Sequence, residues 1–304
     1  MNYNCFLKEV TQRVREKVYS GCTVQVKQVK KNNGILLDCM SICRPGEVIC
    51  PNIYLDEVYE RYLDGWTLEQ AADCILSMWR NSVPAVQIDA DELLNSRIIR
   101  EQTVYRLVNY EKNRSLLEDI PHRKVLDLAL IYYVLVHTEE LGDGAIMIHN
   151  DFLEYYSISG EELDELARRN TRVLLPADFI NISDLLREFG EKTGAYSYSD
   201  ISLEEESSRA PLYVLTNTNR HYGACYMMDT QVLHQISRTL DADLFLLPSS
   251  VHECMILPAS SGGDPATLSK MVREINLYHV SKNEFLSDTI YKFNDEQRNI
   301  EIAA

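Results

Sequence analysis

The stretch Asp243–Pro258, which reads DLFLLPSSVHECMILP, constrains the fold more than any other part of this chain. Two short apolar runs, 244–247 and 254–257, lie on either side of a polar segment. Apolar runs of about four to eight residues that are bounded by turn formers are typical of buried strands. The stretch is therefore predicted to form the central β-hairpin of a C-terminal sheet.

The turn of this hairpin carries the densest group of reactive side chains in the sequence, namely Ser249, Ser250, His252 and Glu253. These four are the candidate catalytic residues, because a hydrolase could use either serine as nucleophile and His252 as its base. No GxSxG motif surrounds them, and neighbours in sequence rarely meet the geometry that such a pair needs. A turn whose hydroxyls hydrogen-bond the backbone accounts for the same residues. Both interpretations stay open.

The pattern around this hairpin predicts a small sheet with helices packed against it. One helix is expected after the N-cap Asp229, and another after Asp264-Pro265, an N-cap followed by proline at the first helical position. The C-terminal elements then follow the order β-β-α-β-β-α-β, which indicates an α+β sheet with helices on one face. The tail from Asn294 is expected to fray. The strands predicted besides the hairpin are Leu212–Leu215, Ala224–Met228 and Asp288–Phe293.

The N-terminal part is predicted to mix helices with a hairpin. Residues 3–18 repeat apolar side chains at helical spacing, and two β-prone runs flank the Asn-Asn-Gly sequence at 32–34, a strong hairpin signal. Pairing Lys31 with Gly34 places Cys22 opposite Cys43. Capping boxes predict two further helix starts, at Thr67 and Ser159.

The composition changes between residues 191 and 211. This stretch is acidic and serine-rich, and it nearly lacks periodic apolar residues, which is typical of a linker or mobile loop. We therefore expect an N-terminal α+β part over residues 1–190 and a C-terminal α+β part over residues 212–304.

The chain carries 46 acidic and 30 basic side chains, a formal net charge of −16. Nucleic acids and anionic membranes bind clustered lysine and arginine, so neither is an expected partner. The first 31 residues carry a net charge of +5, so the rest of the chain carries a net charge of −21. No run approaches the roughly 18–20 apolar residues of a membrane span, and no secretory signal pattern opens the chain. We expect a cytoplasmic location.

The eight cysteines are scattered and form no CxxC pair, so reduced, buried thiols are expected. A zinc site can be imagined from four of them, but their spacing matches no structural zinc pattern. These four are Cys22, Cys39, Cys43 and Cys50. We expect neither a metal ion nor a cofactor.

Short blocks along the whole chain resemble the recurrent blocks of one bacterial family. They include Asn32-Asn-Gly34, Ile148-His-Asn150, Tyr213–Asn217, Leu246–Glu253 and Met271–Asn276. The family is an uncharacterised domain-of-unknown-function family of low-GC Gram-positive bacteria. The resemblance implies a bacterial cytosolic protein with this two-part layout, and it assigns no activity, cofactor or functional residue.

The candidate binding residues are His149, Asn150 and Asn217. The first two end a predicted strand, although Asn150 is also a natural helix N-cap. We expect a non-catalytic binding or regulatory protein that acts through a protein partner or as a homo-oligomer, because the sequence shows no metal set, nucleotide fingerprint or triad signature. Two alternatives are a hydrolase that uses Ser249 or Ser250 with His252, and an acidic nucleic-acid mimic that occupies a DNA-binding partner.

Overall fold

The computed structural model divides the chain into two compact units. The first holds residues 1–101 with 134–146, and the second holds residues 102–133 with 147–304. Almost the whole predicted linker, 191–211, lies outside the described residues, so the division expected there stays a prediction. No helix in the described part of the chain has the length and apolarity needed to cross a membrane. The structure describes residues 1–46, 50–82, 95–138, 142–185, 187, 211–248, 250–261 and 263–304.

The first unit begins with the predicted amphipathic helix, α1 (Tyr3–Lys17). The Asn2 side chain caps it by accepting a hydrogen bond from the backbone N–H of Cys5, and Phe6, Val10 and Val14 are fully buried along one face. They pack in one core with the buried side of α3 (Leu68–Ser82). Among the described residues before 103, the chain also forms α2 (Asp56–Leu63) and α4 (Ser96–Gln102).

The predicted capping box at the start of α3 is confirmed. The Thr67 backbone N–H donates to Gln70 Oε1 at 2.8 Å, and the Gln70 N–H donates to Thr67 Oγ1 at 3.2 Å. Because the two residues satisfy each other's free N–H groups, the helix starts where the sequence predicts it.

The predicted hairpin is confirmed, but its predicted register is wrong by one residue. Strands β1 (Thr23–Lys30), β2 (Leu36–Cys43) and β3 (Asn52–Tyr54) form an antiparallel sheet in that order. The Lys31 N–H bonds to the carbonyl of Ile35 at 2.7 Å, so the turn holds one residue more than a two-residue loop. Cys43 consequently lies opposite Thr23 and not opposite Cys22.

The prediction of reduced cysteines is wrong for one pair. Cys43 at the end of β2 and Cys50 before β3 form a disulfide, with their Cα atoms 5.3 Å apart. Strand β3 returns beside β2, with Asn52 opposite Ser41, and this pairing brings the two cysteines together. The other six cysteines are free.

A small sheet precedes two helices of the second unit. Its strands β4 (Thr103–Asn109), β5 (His122–Val125) and β6 (Leu128–Thr138) lie in the order β4-β6-β5, and β6 also pairs with β7 (Gly142–Met147). From Val134 onwards β6 belongs to the first unit, as does β7 as far as Ile146. The predicted N-cap at Ser159 is confirmed, since its hydroxyl accepts a hydrogen bond from the Glu162 N–H. The helices of this region are α5 (Arg114–Leu117), α6 (Asn150–Tyr156) and α7 (Gly160–Leu174).

The second sheet of this unit is antiparallel throughout and confirms the predicted central hairpin. Its order is β13-β12-β10-β11-β9-β8, which places the hairpin strands β10 and β11 in the middle. Every residue of β10 is buried, so both faces of the sheet are covered there. The strands are β8 (Ala177–Asn181), β9 (Tyr213–Asn217), β10 (Leu244–Pro248), β11 (Cys254–Pro258), β12 (Tyr291–Asn294) and β13 (Asn299–Ile302).

Both helices predicted in this region are confirmed. Asp229 caps α8 (Thr230–Leu240), and Asp264 caps α9 (Pro265–His279). Leu268 and Val272 of α9 pack in one core with hairpin residues such as Phe245. The protein is therefore an α+β fold, as predicted.

Two local predictions in this region are wrong. Residues Gly223–Met228 form a buried 3-10 helix where a strand was predicted over Ala224–Met228, because an apolar run that is buried all round carries no period-two pattern. The chain after Asn294 does not fray, since β13 pairs with β12. The Ile290 N–H also bonds to the carbonyl of Ala304 at 2.9 Å. The observed order from residue 213 is thus β-3-10-α-β-β-α-β-β.

A hydroxyl cage holds the end of the second unit against β6. Asp127, just before that strand, accepts hydrogen bonds from Ser287 Oγ at 2.8 Å, Thr289 Oγ1 at 3.0 Å and Tyr291 Oη at 2.5 Å. Burial and the Asp127 carboxylate together raise the pKa of Tyr291. The tyrosine therefore stays protonated and keeps donating to Asp127.

Candidate functional site

The hairpin turn does not place a serine on the His252 imidazole among the described residues. His252 Nδ1 accepts the Tyr222 backbone N–H at 3.2 Å, and His252 Nε2 lies 3.5 Å from Glu284 Oε1. Ser250 Oγ accepts the backbone N–H of His252 at 3.1 Å, which is the turn arrangement that the sequence also allowed. Glu253 is exposed to solvent, and Ser249 lies outside the described residues.

Asn217, a candidate binding residue, organises the loop that faces this turn. It is fully buried at the end of β9. Its Nδ2 donates to the carbonyl of His221 at 2.8 Å, and its Oδ1 accepts the N–H groups of Asn219 and His221. Because these contacts occupy the amide group on both sides, Asn217 positions His221 and does not itself face a ligand.

The loop and the turn are joined at the carbonyl of His252. This oxygen accepts the Gly223 N–H at 2.9 Å and the Thr216 hydroxyl at 2.8 Å. A Cβ on Gly223 would lie 2.7 Å from the carbonyl carbon of Thr216 and within 3.0 Å of the Asn217 nitrogen. The approach is so close that only glycine fits at this position.

Five side chains from four segments then form what we call the histidine cluster: Arg106, His221, Tyr222, His252 and Glu284. The rings of His221 and His252 stack with centroids 4.7 Å apart, and the Tyr222 ring contacts both, at 4.4 and 5.1 Å. The Arg106 guanidinium lies 3.7 Å from the centroid of the Tyr222 ring. The strand β4 thus contributes a cation to a loop and a turn from the other sheet.

His221 is exposed at the surface of this cluster, whereas His252 and Tyr222 are half-buried. Partial burial, followed by the charges of His252 and Arg106, lowers the pKa of His221 below its ordinary value, and Glu284 opposes them. Arg106 thus disfavours protonation of His221, whereas Glu284 favours it.

A groove of about 890 Å³ is the second site of the same unit. It is lined by residues that follow β4, by β5 and β6, and by the beginnings of α6 and α7. Leu117, Ile120 and Leu153 contribute to its apolar lining. Its polar lining includes Glu118, His122, Arg123, Asn150, Glu161 and Asp164.

A charged network fixes one wall of this groove. Asp164 accepts hydrogen bonds from Arg123 Nη1 at 2.6 Å, Arg168 Nε at 2.9 Å and Tyr132 Oη at 3.0 Å. Burial alone would raise the pKa of Asp164, but these donors, Arg168 foremost, hold it below its ordinary value. The Asp164 carboxylate is thus ionised and saturated, whereas the Arg123 side chain remains 56% exposed.

Of the two candidate binding residues that follow β7, only Asn150 lines the groove, and His149 does not. Asn150 lines the groove, where its backbone N–H and its Nδ2 bond to the carbonyls of Asp119 and Glu118. His149 is exposed at the N-cap position of α6, and its side chain makes no capping hydrogen bond.

Sequence reasoning missed most of both sites. Arg106, His221 and Glu284 are far apart in the chain and lie in no motif, so no local signal connects them to His252. Arg123 and Asp164 are likewise joined only by the fold. In the described part of the chain, no three metal-ligating side chains are gathered as a metal site would require.

The model of a family of unknown function, DUF5688, matches residues 3–295. This chain belongs to DUF5688. The predicted membership of an uncharacterised family is therefore confirmed over nearly the whole chain. No curated protein and no solved structure matches the chain. In this DUF5688 protein, the groove and the histidine cluster are the two candidate sites.

Proposed function

We propose that this protein is a non-catalytic binding module that takes up a short segment of a partner protein in the groove. The groove itself carries the proposal, because its volume of about 890 Å³ falls within the roughly 300–1,000 Å³ typical of ligand sites. The contacts of His252 support the absence of catalysis, since its two ring nitrogens are directed to Tyr222 and Glu284.

The lining of the groove suits a peptide. Leucine and isoleucine side chains offer apolar contact, while a peptide backbone presents both N–H donors and carbonyl acceptors. Arg123 uses Nη1 for Asp164, which leaves other N–H donors of its guanidinium for a carbonyl group. The exposed carboxylates of Glu118 and Glu161 can accept from N–H groups.

A displayed library of random peptides tests this proposal. Peptides selected on the wild-type protein are titrated against Leu153→Arg, which places a charge in the apolar lining. Loss of an apolar anchor costs more than about 1.4 kcal/mol, so affinity should fall at least about tenfold. Leu277→Arg is the matched control, because Leu277 is a 74% exposed helix residue outside the groove.

The same experiment can contradict the proposal. If no peptide is enriched, or if enriched peptides bind Leu153→Arg as tightly as the wild type, the groove is not a peptide site. Enriched peptides that match a segment of this chain would identify a second copy of the protein as the partner.

A further inference from the structure

Arg106 in the histidine cluster is held by aromatic rings and not by a carboxylate. Its guanidinium carbon lies 3.7 Å from the centroid of Tyr222 and 3.9 Å from that of Tyr133, so the cation is sandwiched between the two rings. No carboxylate among the described residues lies within ion-pair distance of it. Ring faces stabilise a guanidinium but cannot accept the N–H donors at its edge. One of these donors is used by the Tyr133 side chain, and the others suit the oxygens of an anion.

His221 supplies a second donor next to this cation. Tyr222 contacts both Arg106 and His221, so the guanidinium and the imidazole lie on the same aromatic platform. His221 stacks on His252, whose Nδ1 is fixed by the Tyr222 backbone N–H. With Nδ1 acting as acceptor, neutral His252 carries its proton on Nε2, which faces Glu284. Glu284 therefore faces His252, while no carboxylate pairs with Arg106 among the described residues.

The loop is held in the conformation that presents these groups. Arg220 and Tyr222 have left-handed backbone conformations, with φ of 51° and 57°. Asn217 fixes the carbonyl and N–H of His221 between them. A non-glycine residue in this region costs roughly 1–2 kcal/mol, so the contacts of the loop must maintain it.

We propose that Arg106 and His221 bind a phosphate group, with Tyr222 and His252 as positioning residues. Arginine presents a planar fork of donors that matches phosphate oxygens, and a protonated imidazole adds a charge-assisted hydrogen bond. The site is separate from the groove and does not depend on peptide binding there.

The first experiment titrates inorganic phosphate into protein labelled with ¹³C-histidine at about pH 6, where more of His221 is protonated, against sodium chloride of equal ionic strength. Phosphate should shift the ring resonance of His221 saturably, and chloride should not. In Arg106→Gln the affinity should fall at least about tenfold, since a charged hydrogen bond is lost. Arg238→Gln, which removes an exposed arginine of α8, is the matched control and should bind as the wild type does.

A second variant keeps the test decisive if Arg106→Gln does not fold. Glu284→Gln removes a negative charge that partly offsets the positive charge of Arg106 near His221. Phosphate, which is itself an anion, should therefore bind about two- to fivefold more tightly. A gain of affinity cannot arise from misfolding. O-phosphoserine and adenosine monophosphate, titrated in the same way, distinguish a phosphorylated protein from a nucleotide as the source of the group.

The pH dependence tests the role of His221, which is surrounded by Arg106, Tyr222, His252 and Glu284. Sulfate stays a dianion between about pH 5 and 8, so its binding reports the protein alone. Its affinity should increase as the pH falls and His221 gains a proton, and His221→Gln should remove most of this increase. Equal responses to phosphate and chloride, tighter binding of acetate than of phosphate, or unchanged affinity in a folded Arg106→Gln would overturn the proposal.

Discussion

Replacing Gly223 with alanine should unfold the junction between the His221 loop and the hairpin turn. The new Cβ would lie 2.7 Å from the carbonyl carbon of Thr216, whereas ordinary contacts of a Cβ are 3.4–4 Å. The obstructing atoms belong mainly to the backbone of β9, which cannot rotate away as a flexible side chain could. Strand and loop must therefore move apart by several tenths of an ångström.

The cost follows from what this movement disrupts. Two hydrogen bonds to the His252 carbonyl, from the Gly223 N–H and the Thr216 hydroxyl, contribute about 1 kcal/mol each. Overpacking in a tight site adds about 1–3 kcal/mol. The free energy of unfolding should thus fall by about 3–5 kcal/mol, which lowers Tm by roughly 10 °C in a domain of this size.

Thermal and urea unfolding followed by circular dichroism measure this loss. Gly263→Ala is the matched control, because nothing lies within 4 Å of a Cβ built there, and its stability should stay within about 0.5 kcal/mol of the wild type. If Gly223→Ala is also that stable, the close approach of the loop to β9 does not require glycine at position 223.

Two further substitutions probe charges elsewhere in the second unit. Asp229 is fully buried and accepts hydrogen bonds from Arg172 Nε at 2.6 Å and from Nη2 at 2.9 Å. The substitution Asp229→Ala should therefore lower the free energy of unfolding, measured in urea, by about 3–5 kcal/mol. A decrease of less than about 1 kcal/mol would contradict this prediction. The pKa of His221 in the folded protein lies below its ordinary value of 6.5. As the pH falls, the unfolded chain therefore takes up this proton before the folded protein does. The free energy of unfolding consequently decreases as the pH drops from about 6.5 through the lowered pKa. In His221→Gln, the urea concentration at the unfolding midpoint should depend less on pH over this range. An unchanged pH dependence would show that His221 is not the responsible group.

The elements that could be predicted from the sequence are those that depend on residues close together in the chain, namely the central hairpin and the helix starts. The hairpin around Ser250 follows from two apolar runs and a polar turn, and the capped starts of four helices follow from side chains that bond to nearby N–H groups. The four caps are Thr67, Ser159, Asp229 and Asp264. The run Ala224–Met228 could not be assigned in this way, since burial on all sides fits a strand and a 3-10 helix equally well.

The candidate site was predictable only where it lies within the hairpin. His252 was found because reactive residues are dense in its turn, yet the residues that contact its ring, Tyr222 and Glu284, come from other segments. Arg106 comes from β4, which belongs to a different sheet. Its contact with Tyr222 depends on tertiary packing, and no spacing in the sequence encodes it.

The hydroxyl cage around Asp127 has a consequence for synthesis on the ribosome. Its last donor, Tyr291, follows Asp127 by 164 residues. At a translation rate of about 5–20 residues per second, the carboxylate waits roughly 10–30 s for that partner. During this interval β6 can already pair with its neighbours, while Asp127 remains hydrated and exposed to other proteins. The strand is thus synthesised early, whereas the hydrogen bonds that surround Asp127 can form only near the end of synthesis.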